Sequence, residues 1–394
     1  MGRCNPTMIN LATIRPFLDD QHLELAEKIE NFVRQEIAPL PAPEDDDKAR
    51  EQAREILTLL GGDGWLMYSV PAAFGGDTTL IDLRACCLIR EALAWASPLA
   101  DAIFSLQCLG SLPIAIAGSD ELKKRWLPDV AGGHAMAAFA MTELRAGSDV
   151  GALETRARRV DDGYVLTGRK LFISNAGLAD FYTVFARTDG DRGTQGISIF
   201  LVGADTPGLR FVRPQVMSAP HPLGEIAFDD CRVASSSRIG EEGEGFKIGM
   251  RTLDRLRATV GAAACGMGSR GLDEALAHAK EREQFGRPLA DFQLTQQKLA
   301  RMATDLAAAR LLVYRAASEA DRGADRVTLE SAMAKYFATE AAQRIVDDAV
   351  QILGGKGVLA FHPVDRLYRS IRALRIYEGT TEIQQLVIAR ELLQ

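Results

Sequence analysis

Several chemistries are excluded by what the chain is missing. Its six cysteines stand at 4, 86, 87, 108, 231 and 265, with no Cys-x-x-Cys pair and no repeated spacing. Neither a disulfide framework nor a thiolate metal site is indicated, and the thiols read as the reduced ones of a cytoplasmic protein. The five histidines, at 22, 134, 221, 278 and 362, lie far apart and form no His-Glu-x-x-His, so no metal is expected. Positive charge is not concentrated anywhere: 46 Lys and Arg against 53 Asp and Glu leave a formal net charge of -7. Nucleic acid is therefore not expected as a partner. The first residues show no basic segment leading into an apolar run with a cleavage site. No stretch of about 18 or more apolar residues is evident either, so no membrane insertion is expected.

What is present is a chain of 394 residues, longer than one core usually supports, and its pattern divides it into three. Over 19–138 the pattern is helical. His22, Leu23, Leu25, Ala26, Ile29, Phe32, Val33 and Ile37 recur at three and four residues, until the prolines at 39, 41 and 43 stop the stripe. A charged helix follows over roughly Asp45 to Leu60, then apolar helices over Leu83 to Trp95 and Ala102 to Ala117. Ser119-Asp120-Glu121 opens another.

Over 139–239 the period changes to two. Tyr164–Thr167, Phe181–Ala186, Gly196–Val202, Leu209–Val212 and Glu225–Phe228 are predicted strands. Turns at Asp161-Asp162-Gly163, Asp189-Gly190-Asp191 and Pro207-Gly208 separate them. Such punctuation implies a small antiparallel barrel or sandwich. Over 240–394 the pattern is helical again, near 246–283, 292–321, 327–353 and 381–393, and long helices with short connections pack as a bundle. The fold class expected is α+β and multidomain: an N-terminal all-α domain, a middle β domain and a C-terminal four-helix bundle.

The most informative stretch is Ile-Tyr-Glu-Gly-Thr-Thr-Glu-Ile-Gln-Gln at 376–385. Glu378 follows two large side chains and precedes a glycine that lets a ligand approach closely. Poor solvation there raises a carboxyl pKa towards the range useful to a general base. Helix capping is the competing explanation, with Thr380 or Thr381 as the cap and Glu382 as first-turn negative charge. The two roles are compatible.

That string, followed by Val387-Ile388-Ala389-Arg390, resembles the C-terminal signature of the acyl-CoA dehydrogenases. Four further motifs resemble the same family in order: Met141-Thr142-Glu143 with Ala146-Gly147-Ser148-Asp149; Phe172-Ile173-Ser174-Asn175; Arg282 with Phe285-Gly286; and Gln351 to Gly357. Together they cover roughly residues 20 to 394. The resemblance implies bound FAD, with Phe139, Met141, Thr142, Phe172 and Ser174 at the flavin. It places Arg282, Phe285, Gln293, Gln351, Gly354 and Gly355 at the adenosine and pyrophosphate across a subunit boundary, and adds Thr380 and Glu382 to the cofactor set. A homodimer or homotetramer follows from that sharing. Ser148, Asp254, Arg257 and Gly379 are implied acyl-CoA contacts, and a solvated ion pair of residues 254 and 257 on one helix face is the competing explanation for those two. No Walker motif or Gly-x-Gly-x-x-Gly turn supports a different nucleotide fold.

Departures from the family pattern also stand out. Phe172 occupies a position where the family commonly has Trp, Ser174 one that is often Thr, and Leu144-Arg145 replace a Pro-Gly turn. The chemistry implied is α,β-dehydrogenation of an acyl-CoA thioester, with Glu378 removing the α-proton and the β-hydride passing to flavin. An electron-transfer flavoprotein is the implied acceptor. The acyl tail is expected to meet Ala100 to Leu106, with Phe104 restricting the slot. The arginine that dicarboxylic-acyl members place in this helix falls near Ala100, so glutaryl-type substrates are disfavoured. An oxygen-using flavoenzyme of the same fold and a non-enzymatic flavin-bearing scaffold are the alternatives.

Overall fold

The computed structural model describes residues 8–188, 193–324, 326–360 and 362–393. Cys4 and the turn expected at Asp189-Gly190-Asp191 lie outside the described residues. In chain order the helices before the sheet are α1 (Leu11–Ile14), α2 (Asp20–Phe32), α3 (Asp46–Gly62), α4 (Leu83–Ala96), α5 (Pro98–Ala117) and α6 (Asp120–Ala131). The strands are β1 (Ala137–Ala140), β2 (Arg156–Val160), β3 (Gly163–Ser174), β4 (Phe181–Arg187), β5 (Ile197–Gly203), β6 (Leu209–Pro214), β7 (Leu223–Ala234) and β8 (Arg238–Ile239). Then come α7 (Gly245–Glu281), a hairpin of β9 (Glu283–Gln284) and β10 (Arg287–Pro288), α8 (Gln293–Asp321), α9 (Thr328–Leu353), α10 (Pro363–Leu374) and α11 (Thr381–Leu392).

The described residues fall into two compact units. One gathers those up to Ala42, Leu83–Asp101 and those from Asp254 onward; the other holds Pro43–Asp82 and Ala102–Leu253. In the first, α8, α10 and α11 pack on α9, and α4 packs on α2 and α8. Asp19 and His22 form a reciprocal capping box that starts α2, with Asp19 N–H donating to His22 Nδ1 at 3.2 Å. The expected stripe is buried at Leu25, Ala26, Ile29 and Phe32 and continues through a π-helical turn, Val33–Ile37. Met8, Ile9 and Ile14 are buried too, so the chain contributes to this core ahead of residue 19.

Helix α10 was absent from the expected elements. Its arginines at 366, 369 and 372 mask an apolar stripe of Val364, Leu367, Ile371 and Leu374, all buried, and His362 caps it just before Pro363. A Gly-x-Gly-x-x-Gly spacing does occur, at Gly266, Gly268 and Gly271, but it lies inside α7. A Cβ on Gly266 would stand 2.1 Å from the Glu91 carbonyl oxygen. The glycine allows two helix backbones to touch and holds no phosphate.

In the second unit one sheet runs β6-β7-β3-β2-β4-β5-β8, with β1 on β4. Most pairings are antiparallel, whereas β1 and β2 each meet β4 in parallel. The β1 and β2 strands were missed in the sequence: one is alanine-rich and the other carries three arginines, both weak strand signals. Two buried clusters cover the sheet, one including Phe181, Phe185 and Ile199 and the other Tyr182, Phe200 and Phe228. Helix α5 corrects one expectation, being long and apolar enough to cross a membrane. Yet 78% of its most apolar stretch is buried within the fold, as in the core helix of a globular protein.

Helix α4 is buried along its whole length, including three charged residues. Arg84 pairs with Asp19 at 2.7 Å and Asp321 at 3.0 Å, and Arg90 pairs with Asp101 at 2.7 Å. Glu91 accepts from Arg310 Nε at 2.6 Å and from the Tyr314 hydroxyl at 2.8 Å. Buried pairs of this kind contribute little when intact but are costly to halve. Arg310→Ala is expected to destabilise the protein by about 3 kcal/mol or more, because Glu91 is left charged and buried. Urea unfolding checks this, and a loss under about 1 kcal/mol would contradict it.

Candidate active site

The loop between α10 and α11 makes two successive left-handed turns, with φ 55° at Glu378 and φ 93° at Gly379. A side chain in that region costs on the order of 1–3 kcal/mol and persists only where the surroundings enforce it. Three buried donors do so. Arg257 Nε donates to the Glu378 carbonyl at 3.3 Å, and Lys335 Nζ donates to the Gly379 carbonyl at 2.7 Å. Gln384 Nε2 donates to both carbonyls at 3.2 Å. Glycine at 379 is required twice over, since a Cβ there would lie 2.3 Å from Gln384 Nε2. Thr380 caps α11 through Ile383 N–H at 3.3 Å, so the capping role and the special carboxylate coexist.

The Glu378 side chain is poorly solvated. Its Oε2 is buried and accepts no hydrogen bond from the described residues. Burial raises its pKa above the ordinary carboxyl value, while Arg90, Lys335 and Arg257 pull against that rise. Burial likewise brings Lys335 down to about 8, with Glu378 opposing. Arg90 donates to Asp101 through Nε at 2.7 Å and Nη2 at 3.0 Å, and to Thr259 at 2.9 Å. It also opposes the rise that burial gives the Tyr377 hydroxyl pKa. Arg90 and Lys335 lie in no motif and are unassigned in the sequence, and Gln384, although inside the 376–385 string, carries no role there. The available signal is charge inside an apolar helical run, as at Leu88-Ile89-Arg90-Glu91-Ala92-Leu93 and Ala332-Met333-Ala334-Lys335. Asp254 and Arg257 do form an ion pair, and Thr328 adds a 3.0 Å bond to Asp254. The pair is not a solvated face, however, because Arg257 is buried beneath the Glu378 carbonyl.

The middle segment builds a second cluster. Strand β3 breaks register against β7 between Lys170 and Ile173, and Phe172 within that break has φ 56° and is 59% exposed. Leu171 N–H pairs with the Thr142 carbonyl at 2.9 Å, which brings Thr142 beside the bulge. Phe172 N–H donates to Gln215 Oε1 at 2.6 Å. The Ser174 hydroxyl meets His221 Nε2 at 2.7 Å. Beneath them Lys170 Nζ donates to Glu143 at 2.7 Å and to the Met141 carbonyl at 3.2 Å. Burial lowers the Lys170 pKa to about 8 against the pull of Glu143. Burial pushes the Glu143 carboxyl up, but Lys170 and donated hydrogen bonds outweigh it and hold it below the ordinary range. Phe139 packs against Phe185 with centroids 4.9 Å apart. Without the proline, Glu143 and Ala146 still close a tight turn through reciprocal backbone bonds of 3.0 and 3.3 Å. Leu144 and Arg145 project outward from it.

The other expected positions lie open. Ser148, Arg282, Gln293, Gln351, Gly354, Gly355 and Glu382 are exposed. Phe285 is 92% exposed with φ 53°, followed by Gly286 at φ 75°, a two-residue turn with both angles positive. Of Ala100 to Leu106, only Ala102 and Leu106 keep partial exposure; Phe104 is fully buried and is a core residue, which corrects the slot-restricting role expected of it.

In the middle segment a strained, uncovered Phe172, close in the strand to the Ser174 hydroxyl and with Thr142 beside its bulge, fits contact with a flat heterocycle. The comparisons agree. Models of the acyl-CoA dehydrogenase N-terminal, middle and C-terminal domains match residues 19–134, 138–231 and 243–393. A 3-(aryl)acrylate reductase of Clostridium sporogenes is 40% identical over 96% of this chain and 100% of its own. The structure of butyryl-CoA dehydrogenase from Megasphaera elsdenii is 35% identical with TM-score 0.89, covering 96% of this chain and 99% of that one. PigA, solved with FAD and proline, is 31% identical with TM-score 0.85, covering 95% and 98%. The chain belongs to the acyl-CoA dehydrogenase family. It is an FAD-dependent oxidoreductase of three-domain architecture.

Strain at an exposed phenylalanine implies selection for something other than stability. Phe285→Asn is expected to stabilise FAD-free protein by about 1 kcal/mol, since Asn tolerates the left-handed region, and to weaken FAD retention. Thermal unfolding and flavin content after gel filtration measure both, and unchanged FAD retention would remove Phe285 from the cofactor site.

Proposed function

We propose that this chain catalyses α,β-dehydrogenation of an acyl-CoA thioester, with Glu378 as the base that removes the α-proton. The observation that carries the reading is the unpartnered, buried Oε2 of a carboxylate whose backbone is clamped by Arg257, Lys335 and Gln384. A base must hold its lone pair free and its position fixed. Among the described residues no main-chain acceptor takes the Glu378 N–H. That donor is available to a thioester carbonyl, where it would stabilise developing enolate charge. FAD, when bound, supplies the hydride acceptor. Phe139, Met141, Thr142, Phe172 and Ser174 are the residues we assign to the flavin. Arg282, Phe285, Gln293, Gln351, Gly354 and Gly355 are assigned to its adenosine and pyrophosphate. The exposure of that second set supports cover by another copy in a homodimer or homotetramer. An electron-transfer flavoprotein as acceptor and a cytoplasmic location complete the proposal.

The acyl group we favour is uncharged. Asp101 already neutralises Arg90, and Ala100 offers no cation to a distal carboxylate. A second reading, hydrogenation of an arylacrylate-type double bond, is favoured by one observation, the 40% identical relative that is a 3-(aryl)acrylate reductase. It uses the same groups in reverse, Glu378 returning a proton to the α-carbon.

Glu378→Gln is expected to keep FAD and to lose about 10³-fold or more in the rate of anaerobic flavin bleaching by acyl-CoA. A near-wild-type rate would sink the assignment. The base acts ionised, so kcat/KM should rise with pH through the elevated Glu378 pKa and then level. Lys335→Met removes a neighbouring cation, which disfavours the carboxylate, and should move that rising limb to higher pH. A limb that stays put or moves to lower pH contradicts the electrostatic account.

A further inference from the structure

His221 is the one histidine of the middle segment, and no motif claims it. The β3/β7 ladder pairs Ser174 with Leu223, and Asn175 N–H continues the pairing to the Pro222 carbonyl at 2.7 Å. Register therefore delivers the residue before Pro222 to the Ser174 side chain. The approach is secured at two further points: His221 N–H donates to Asp46 Oδ1 at 3.1 Å, and the His221 carbonyl accepts from Leu223 N–H at 2.7 Å. A backbone tied on both sides leaves the imidazole little freedom, and its Nε2 stands 2.7 Å from Ser174 Oγ.

We propose that His221 is a positioning residue for the flavin, acting through the Ser174 hydroxyl. The proposal rests on the assignment of Ser174 to the flavin edge. A serine hydroxyl has one proton and a free rotor. In the proposed arrangement the imidazole carries its proton on Nε2 and donates it to Oγ, which leaves the hydroxyl proton free for the ring edge. Burial keeps the imidazole pKa at about 4, so at neutral pH the ring is uncharged and offers one donor. The contact therefore orients without adding charge. Serine lacks the β-methyl that fixes the rotamer of a threonine, and at 174 the histidine supplies the missing constraint. Hydrogen bonds to the isoalloxazine edge tune its electron affinity, because a donor favours the electron-richer reduced ring.

Spectroelectrochemical titration of purified holoenzyme tests this with His221→Ala, His221→Gln, Ser174→Ala and the double alanine variant. His221→Ala should lower the two-electron midpoint potential by about 30 mV, a tenfold change in the ratio of reduced to oxidised flavin. His221→Gln, which can present an amide N–H near the Nε2 position and keeps the loop folded, should restore most of it. In the Ser174→Ala background, removing His221 should add nothing, since the effect runs through the hydroxyl. A potential unmoved by His221→Ala, while Ser174→Ala shifts it, overturns the role of His221 alone. If Ser174→Ala retains FAD at an unchanged potential, the flavin-edge assignment fails and this proposal with it. Additive shifts in the double variant overturn it as well.

Discussion

Two carbonyl oxygens organise the loop that carries Glu378. Those of Glu378 and Gly379 point into the fold and receive hydrogen bonds from Arg257, Lys335 and Gln384, which are drawn from three different helices. Without them the loop would relax from its left-handed conformation and the carboxylate would swing with it. The same cations that hold the carbonyls also moderate the carboxyl pKa. Arg257 and Lys335 thus serve both geometry and protonation, with Gln384 adding to the first and Arg90 to the second. Burial raises the carboxyl pKa, and the cations oppose that rise.

Charge burial recurs as a method of construction. Helix α4 carries Arg84, Arg90 and Glu91 into a buried interior, and each is met by a partner on another helix, Asp321 and Arg310 of α8 and Asp101 of the adjacent α5. Such pairs add little net stability, but they penalise any packing that separates the partners. In a bundle of alanine-rich helices, where apolar surfaces are alike, this penalty selects one arrangement. Gly266 contributes in another way, bringing the α7 backbone against the Glu91 carbonyl.

The parts of the fold legible in the sequence were those with local causes. Caps at Asp45 and Ser119, the stripe of α2 and the strands between glycine turns all follow from near neighbours in the chain. Glu378 was legible because its neighbours are unusual. What could not be read depends on contacts distant in sequence. Lys335 is an ordinary helical lysine until α11 folds over it, and His221 is an ordinary loop histidine until β7 aligns with β3. Arg257 shows the intermediate case: its partner Asp254 was visible at helical spacing, but its burial was not. Phe104 shows the opposite, an aromatic that looked like a specificity element and is fully enclosed.

The Phe285 turn bears on how the protein is made. Its ring stands 92% exposed, with Leu294 at 75% and Val358 at 69% also uncovered. Apolar surface of this kind attracts whatever apolar surface is nearest. A newly synthesised chain bearing it is a client for chaperones and proteases until something covers it. If assembly supplies that cover, slower assembly leaves the naked chain open to removal for longer, and less finished protein accumulates.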